Sequence, residues 1–396
     1  MFIEDDFLFF PHKKTSKIIP KKYQALVTLL NDIKFYFSPP NKILGSRDKL
    51  DKFDFNFLDI EDFHFFTDEQ LLELYTIITI IIQCYRWDRC PPAAQRFEET
   101  TISFPKGLFD FWVSLSDRIG VPYNNNYIAT IGNNWLIVDN KINHEKPDSY
   151  LKNLRIAYSW LKRPYHDQLE QFILSFVEMD AFSPLLLKYC RDINQIIQSN
   201  LGIETFIHPL EKLLKITQSL NRNFNKRIKD RNIAITDWKN IIHIPFAWGL
   251  VFKGEKLEGA SGMQISSIQI LNAILNIKDP GHIGQATKNT RKYMIQPQRR
   301  RLNDIDMIGK KLRQLIVKSN NIKVILLYNK ILQVLTNWRV SHQTRGYRYL
   351  SYDDERTSYQ MASGLTIETT TQSVEDIFWQ HMQDRIVETE NTKIKS

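Results

Sequence analysis

The sequence predicts an all-α protein divided into a small N-terminal and a larger C-terminal helical domain. Length is the first observation behind this, because 396 residues exceed what one hydrophobic core usually holds together. The second is periodicity: apolar residues recur at three- and four-residue spacing along most of the chain, the repeat of one helical face. The third is punctuation. Pro39-Pro40, Pro91-Pro92, Gly120 with Pro122, and Asp279-Pro280-Gly281 interrupt that repeat where helices have to stop.

Taken in order, a helix is expected over residues 22–37, followed by an irregular aromatic arm over 52–66. Thr67 and the acidic turn Asp68-Glu69-Gln70 cap a helix that runs to about Trp87. Helices over 107–119 and 127–135 complete the small domain. The polar run 135–149 reads as a linker, so residues 1–145 form the small domain and 146–396 the large one. Helical periodicity then covers 148–161, 165–179, 183–200, 209–231, 237–248 (broken by Pro245) and 263–277. It resumes in a basic stretch to Met294, over 304–318 and 322–350, and in a last amphipathic helix over 373–387. A hairpin-like stretch near 249–262 and a polar loop over 351–373 are the exceptions.

Composition narrows the chemistry. Lys and Arg total 53 against 44 Asp and Glu, and the resulting +9 permits anionic partners without requiring them. Cys84, Cys90 and Cys190 are too few for a disulfide scaffold or a closed zinc site and fit a reducing compartment. The N-terminus runs acidic, then apolar, then basic, which is the wrong order for a secretory signal, and no apolar run is long enough to span a bilayer. A cytoplasmic protein without membrane contact is expected. No HExxH, GxSxG, GxGxxG or P-loop pattern occurs.

Three stretches carry candidate chemistry. In the segment 322–350, Tyr328, Leu332, Leu335, Arg339 and His342 share one helical face, which directs His342 inward with a guanidinium one turn away. That pairing suits a metal-bearing, anionic ligand such as haem; a core histidine bonded to a backbone carbonyl satisfies the same pattern. The small residues Gly259, Ala260, Ser261 and Gly262 allow close backbone approach to a ligand, or serve only to cap the next helix. Lys278, Lys288, Arg291, Lys292, Arg299, Arg300 and Arg301 gather in a basic segment. With no nucleic-acid-binding signature nearby, this reads as a solvated helix face and basic turn rather than a nucleic-acid site.

Six stretches in this order resemble the indoleamine 2,3-dioxygenase family: YIATIGNNW (127–135), FILSFVEMDAF (172–182), GASGMQISSIQ (259–269), RKYMIQPQRRRL (291–302), NWRVSHQTRGYRYL (337–350) and ASGLTI (362–367). The resemblance implies haem b, with its iron, held between the two helical domains, His342 as the proximal iron ligand and Arg339 as a propionate partner. It places Tyr127, Thr130, Ile131 and Phe172 around the substrate, Ser261 and Gly262 at the haem edge, and Ser175, Ser261 and Thr366 as candidate hydrogen-bond donors to oxygen or substrate. The implied reaction adds O2 to the C2–C3 bond of tryptophan or another indole, with an electron donor reducing the haem. One departure is visible. The family grips the tryptophan carboxylate with an arginine, and the nearest position here is His243. Histidine lacks the bidentate fork, at a cost of about 2–3 kcal/mol of binding. A haem monooxygenase or rearranging enzyme acting on another aromatic is therefore the alternative within the family. A non-catalytic haem-binding or basic nucleic-acid-binding scaffold is the alternative outside it.

Overall fold

The computed structural model describes residues 9–10, 19–37, 45–88, 102–138, 143, 145–246, 251–252, 255–256, 259–277, 290–350 and 374–395. Within them the architecture is helical, with two minimal antiparallel strand pairs. In the N-terminal part, α1 (Gln24–Tyr36), α2 (Ser46–Asp51), α3 (Asp68–Arg86) and α4 (Lys106–Ile119) pack around α3. Fifteen of the nineteen residues of α3 are buried, and its start is fixed by a reciprocal capping box between Thr67 and Gln70. The segment after α4 forms a single wide π turn, Ile128–Gly132, rather than the expected helix to Trp135.

One expected helix is absent. Residues 148–161 form two short turns and a strand, β2 (Leu154–Arg155), which pairs with β1 (Leu136–Ile137) across the polar run. The cause is non-local. The Asn134 amide accepts from the Tyr158 N–H at 2.8 Å and donates to the Tyr158 carbonyl at 2.9 Å, while Glu170 accepts from the Ile156 N–H. Backbone groups satisfied in this way have nothing to gain from a helix.

The remaining core is built from α5 (Tyr165–Asp180), α6 (Ser183–Gln198) and α7 (Ile207–Arg227), then a short turn, α8 (Ile235–Asp237), continued by a second π turn over Trp238–Ile242. The hairpin stretch is real but tiny, β3 (Val251–Phe252) against β4 (Glu255–Lys256). After it come α9 (Ser266–Ile274), α10 (Gln296–Ser319), α11 (Ile322–Leu350) and α12 (Val374–Asn391). Helix α10 begins eight residues earlier than expected because Pro297 lies in its first turn, where a missing N–H costs nothing. The basic residues expected in a turn are therefore helical. Arg299 among them is used internally, donating to the Gly120, Lys292 and Met294 carbonyls, while Arg291, expected in a helix, lies in the turn Arg291–Tyr293 and pairs with Asp306 at 2.6 Å.

The 29-residue α11 runs between α7 and α12 and presents His342 to the interior. Among the described residues no helix is long and apolar enough to cross a membrane. Where α10 crosses α9, Gly309 lets the backbones meet: a Cβ there would lie 2.1 Å from the Ala273 carbonyl oxygen and 2.7 Å from that of Ile274. Gly309→Ala should therefore cost about 3 kcal/mol in urea denaturation, since both obstacles are backbone atoms of a buried helix.

Candidate functional site

One cavity gathers the His342 face of α11, aromatic side chains of α5 and α7, the 238–246 stretch, the 260–263 loop and α12. Aromatic and aliphatic side chains dominate its lining, and among the described residues no Asp or Glu contributes to it. Phe172 meets Trp238 at 4.4 Å, Phe176 at 5.0 Å and Phe246 at 5.0 Å between ring centroids, forming a continuous aromatic wall.

His342 is caged by rings. Trp338, one turn back on α11, lies at 5.4 Å, Phe224 of α7 at 5.6 Å and Phe378 of α12 at 5.7 Å. Among the described residues no hydrogen bond involves the imidazole, and its buried Nδ1 has no partner. Burial pushes its pKa down to about 4, so at neutral pH the ring is uncharged and offers a lone pair. This removes the alternative of a core histidine satisfied by a backbone carbonyl. Gly346, one turn further, admits Phe378: a Cβ there would sit 2.4 Å from that ring.

The same cavity is rich in donors. Arg339, 1% exposed, gives Nη1 to the Arg385 carbonyl at 2.6 Å and Nη2 to Asn272 Oδ1 at 2.7 Å. Because a guanidinium only donates, Asn272 must turn its oxygen toward Arg339, and its Nδ2 is left without an acceptor. The indole N–H groups of Trp238 and Trp338 also lack acceptors. Arg345, His381 and Arg385 add further positive or donor groups to the lining. Each buried donor without an acceptor costs about 1–3 kcal/mol, so a cavity holding several is built for a ligand that brings acceptors.

These features fit haem. A lone imidazole is a poor site for a free ion, and among the described residues no group of three or more His, Cys, Asp or Glu could hold one. It does suit a metal already chelated in a flat, apolar ligand whose carboxylates meet arginine and amide donors.

The sequence-derived candidates divide. Tyr127, Ile131, Phe172, His243, Ser261, Gly262, Arg339 and His342 all line the cavity. Gly262 lies against the imidazole, where a Cβ would come within 3.3 Å of His342 Cε1. Ser261 accepts from the Met263 N–H and so caps the turn that carries Gly262. His243 stacks on Trp238 at 5.1 Å. Two candidates turn away: Ser175 donates to the Phe172 carbonyl at 2.6 Å and Thr130 to that of Asn126 at 3.1 Å, each satisfying its own helical turn. Thr366 lies outside the described residues. Sequence reasoning missed Trp338 and Arg345, although both stand at helical spacing from His342, and also His381 and Arg385, which are four apart on α12. Phe224, Phe246 and Asn272 carried no local signal.

The sequence model of the family described as Indoleamine 2,3-dioxygenase matches residues 2–392, nearly the whole chain. No curated protein matches it.

The buried imidazole has a thermodynamic signature. An unfolded chain protonates His342 as pH falls through about 6.5, whereas the folded protein resists until about 4, so stability is lost on acidification across that window. In urea denaturation of the cofactor-free protein, wild type should lose about 3 kcal/mol more than His342→Leu between pH 7 and 4.

Proposed function

Because the chain belongs to the indoleamine 2,3-dioxygenase family, a haem-dependent dioxygenase kind of enzyme, we propose that it oxidises an indole or closely related aromatic in the His342 cavity. The observation that carries this reading is His342 itself, a half-buried, neutral imidazole whose enclosed Nδ1 has no protein partner. Haem bound there would supply the O2 and one-electron chemistry, which protein side chains cannot provide.

The chain's own residues do the rest. His342 would hold the iron without first losing a proton, since burial already keeps it neutral. Arg339 and the Nδ2 of Asn272 would receive a carboxylate of the cofactor. Phe172, Trp238 and Phe246 offer an apolar aromatic wall, its rings tilted or edge-on to one another, against which an indole would pack. Few titratable groups face this wall, which suits addition of oxygen across an indole C2–C3 bond, where the cofactor carries the reactivity.

His243 favours a second reading. It stands beside the aromatic wall, stacked on Trp238, near the position where the family's arginine would grip a carboxylate. An imidazole cannot form that fork, so a substrate without the carboxylate of tryptophan, or a monooxygenation of another aromatic, gains weight.

Two measurements test these readings. Haem added to purified protein should give a Soret band that shifts on reduction and CO binding and disappears in His342→Ala; absence of such a band in wild type defeats the haem reading. Oxygen consumption with L-tryptophan, tryptamine and indole should favour the two carboxylate-free compounds in wild type, and His243→Arg should raise turnover of L-tryptophan about tenfold or more. Equal use of L-tryptophan by both forms would defeat the argument from His243.

A further inference from the structure

Asp180, the last residue of α5, is 3% exposed and among the described residues faces no cation. Its Oδ2 accepts from the Tyr127 hydroxyl at 2.8 Å, and its Oδ1 accepts from the Ser267 N–H at 2.9 Å in the first turn of α9. The circuit closes through a third contact, because the Tyr127 N–H donates to Gln264 Oε1 at 2.7 Å, and Gln264 belongs to the turn that carries Gly262. Three separate pieces of cavity wall meet at this one carboxylate. These are α5 with Phe172 and Phe176, the π turn preceded by Tyr127, and the loop running from Ser261 into α9.

We propose that Asp180 is a positioning residue, a buried carboxylate that clamps these three wall segments into one unit around the cavity. It touches no part of the cavity lining except through Tyr127 and the α9 turn, so it acts by fixing them. The clamp goes beyond the haem reading and does not depend on what the cavity holds.

The clamp responds to pH in a direction that can be worked out. Tyr127 is the titratable group facing Asp180, and its phenol, pushed well above its ordinary value by burial, stays neutral. Burial without a cation raises Asp180 to about 6. When the wall opens and water reaches the carboxyl, it returns to its ordinary value of 3.8, so opening releases a proton. The open form therefore gains as pH rises from about 4 to 6 and levels off above, by up to roughly 100-fold for about two pKa units. The wall is tightest on the acidic side of that window.

Hydrogen exchange followed by mass spectrometry on the cofactor-free full chain tests this without needing haem. After correction for intrinsic exchange, peptides containing Tyr127 to Gly132 and Ser261 to Ser267 should lose protection together, tenfold or more, between pH 4.5 and 6.5. Asp180→Asn, which keeps the shape and an acceptor, should leave both peptides protected and flat with pH. Asp180→Ala should deprotect both at every pH. Separate pH responses in the two peptides, or the same slope in wild type and Asp180→Asn, would overturn the proposal. Failure of the haem reading would show as a missing Soret band and leave these exchange results intact.

Discussion

The desolvation of His342 sets the terms for the structure around it. Placing an imidazole among Phe224, Trp338 and Phe378 removes water from its Nδ1, and the protein gives that atom no partner in return. Such a group is costly in isolation and stays in place because neighbouring helices over-determine its position. Helix α11 is held by α7 on one side and α12 on the other, and Gly346 lets the Phe378 ring close over the turn next to the histidine. The rigid surroundings preserve a lone pair that no protein donor uses.

The same logic extends to the donors. Arg339 is buried and turns the Asn272 oxygen toward itself, which leaves the amide nitrogen without an acceptor. Two tryptophan N–H groups face the same situation. An apolar cavity would be more stable without unsatisfied groups of this kind. A flat ligand that carries a metal and carboxylates would bring acceptors to donors of this kind, and the family to which the chain belongs uses such a ligand.

Stability and site are coupled at other points as well. Glu178, two residues before Asp180, is buried in an ion pair with Arg227 at 2.5 Å, joining α5 to the end of α7 behind the aromatic wall. Asp180 joins α5 to α9 on the cavity side. One helix end thus carries two carboxylates with different partners: one compensated by a guanidinium, the other only by a phenol and backbone N–H groups. Burial without a cation raises the Asp180 carboxyl to about 6.

The sequence by itself determined most of the helices, the inward face of α11 that pairs Arg339 with His342, and the close-approach glycine at 262. Each follows from local rules, helical spacing for the first two and the absence of a side chain for the third. Tertiary structure decided the rest. Residues 148–161 have the apolar spacing of a helix, yet Asn134 and Glu170 took their backbone groups into another arrangement. Ser175 and Thr130 lie on cavity-forming segments, but their hydroxyls returned to the local backbone. Asp180, Asn272 and Phe224 carry no motif, and their roles arise only where helices distant in sequence meet. Periodicity records which side of a helix is buried. Which polar group finds a partner, and which is left for a ligand, depends on neighbours that only the folded chain brings within reach.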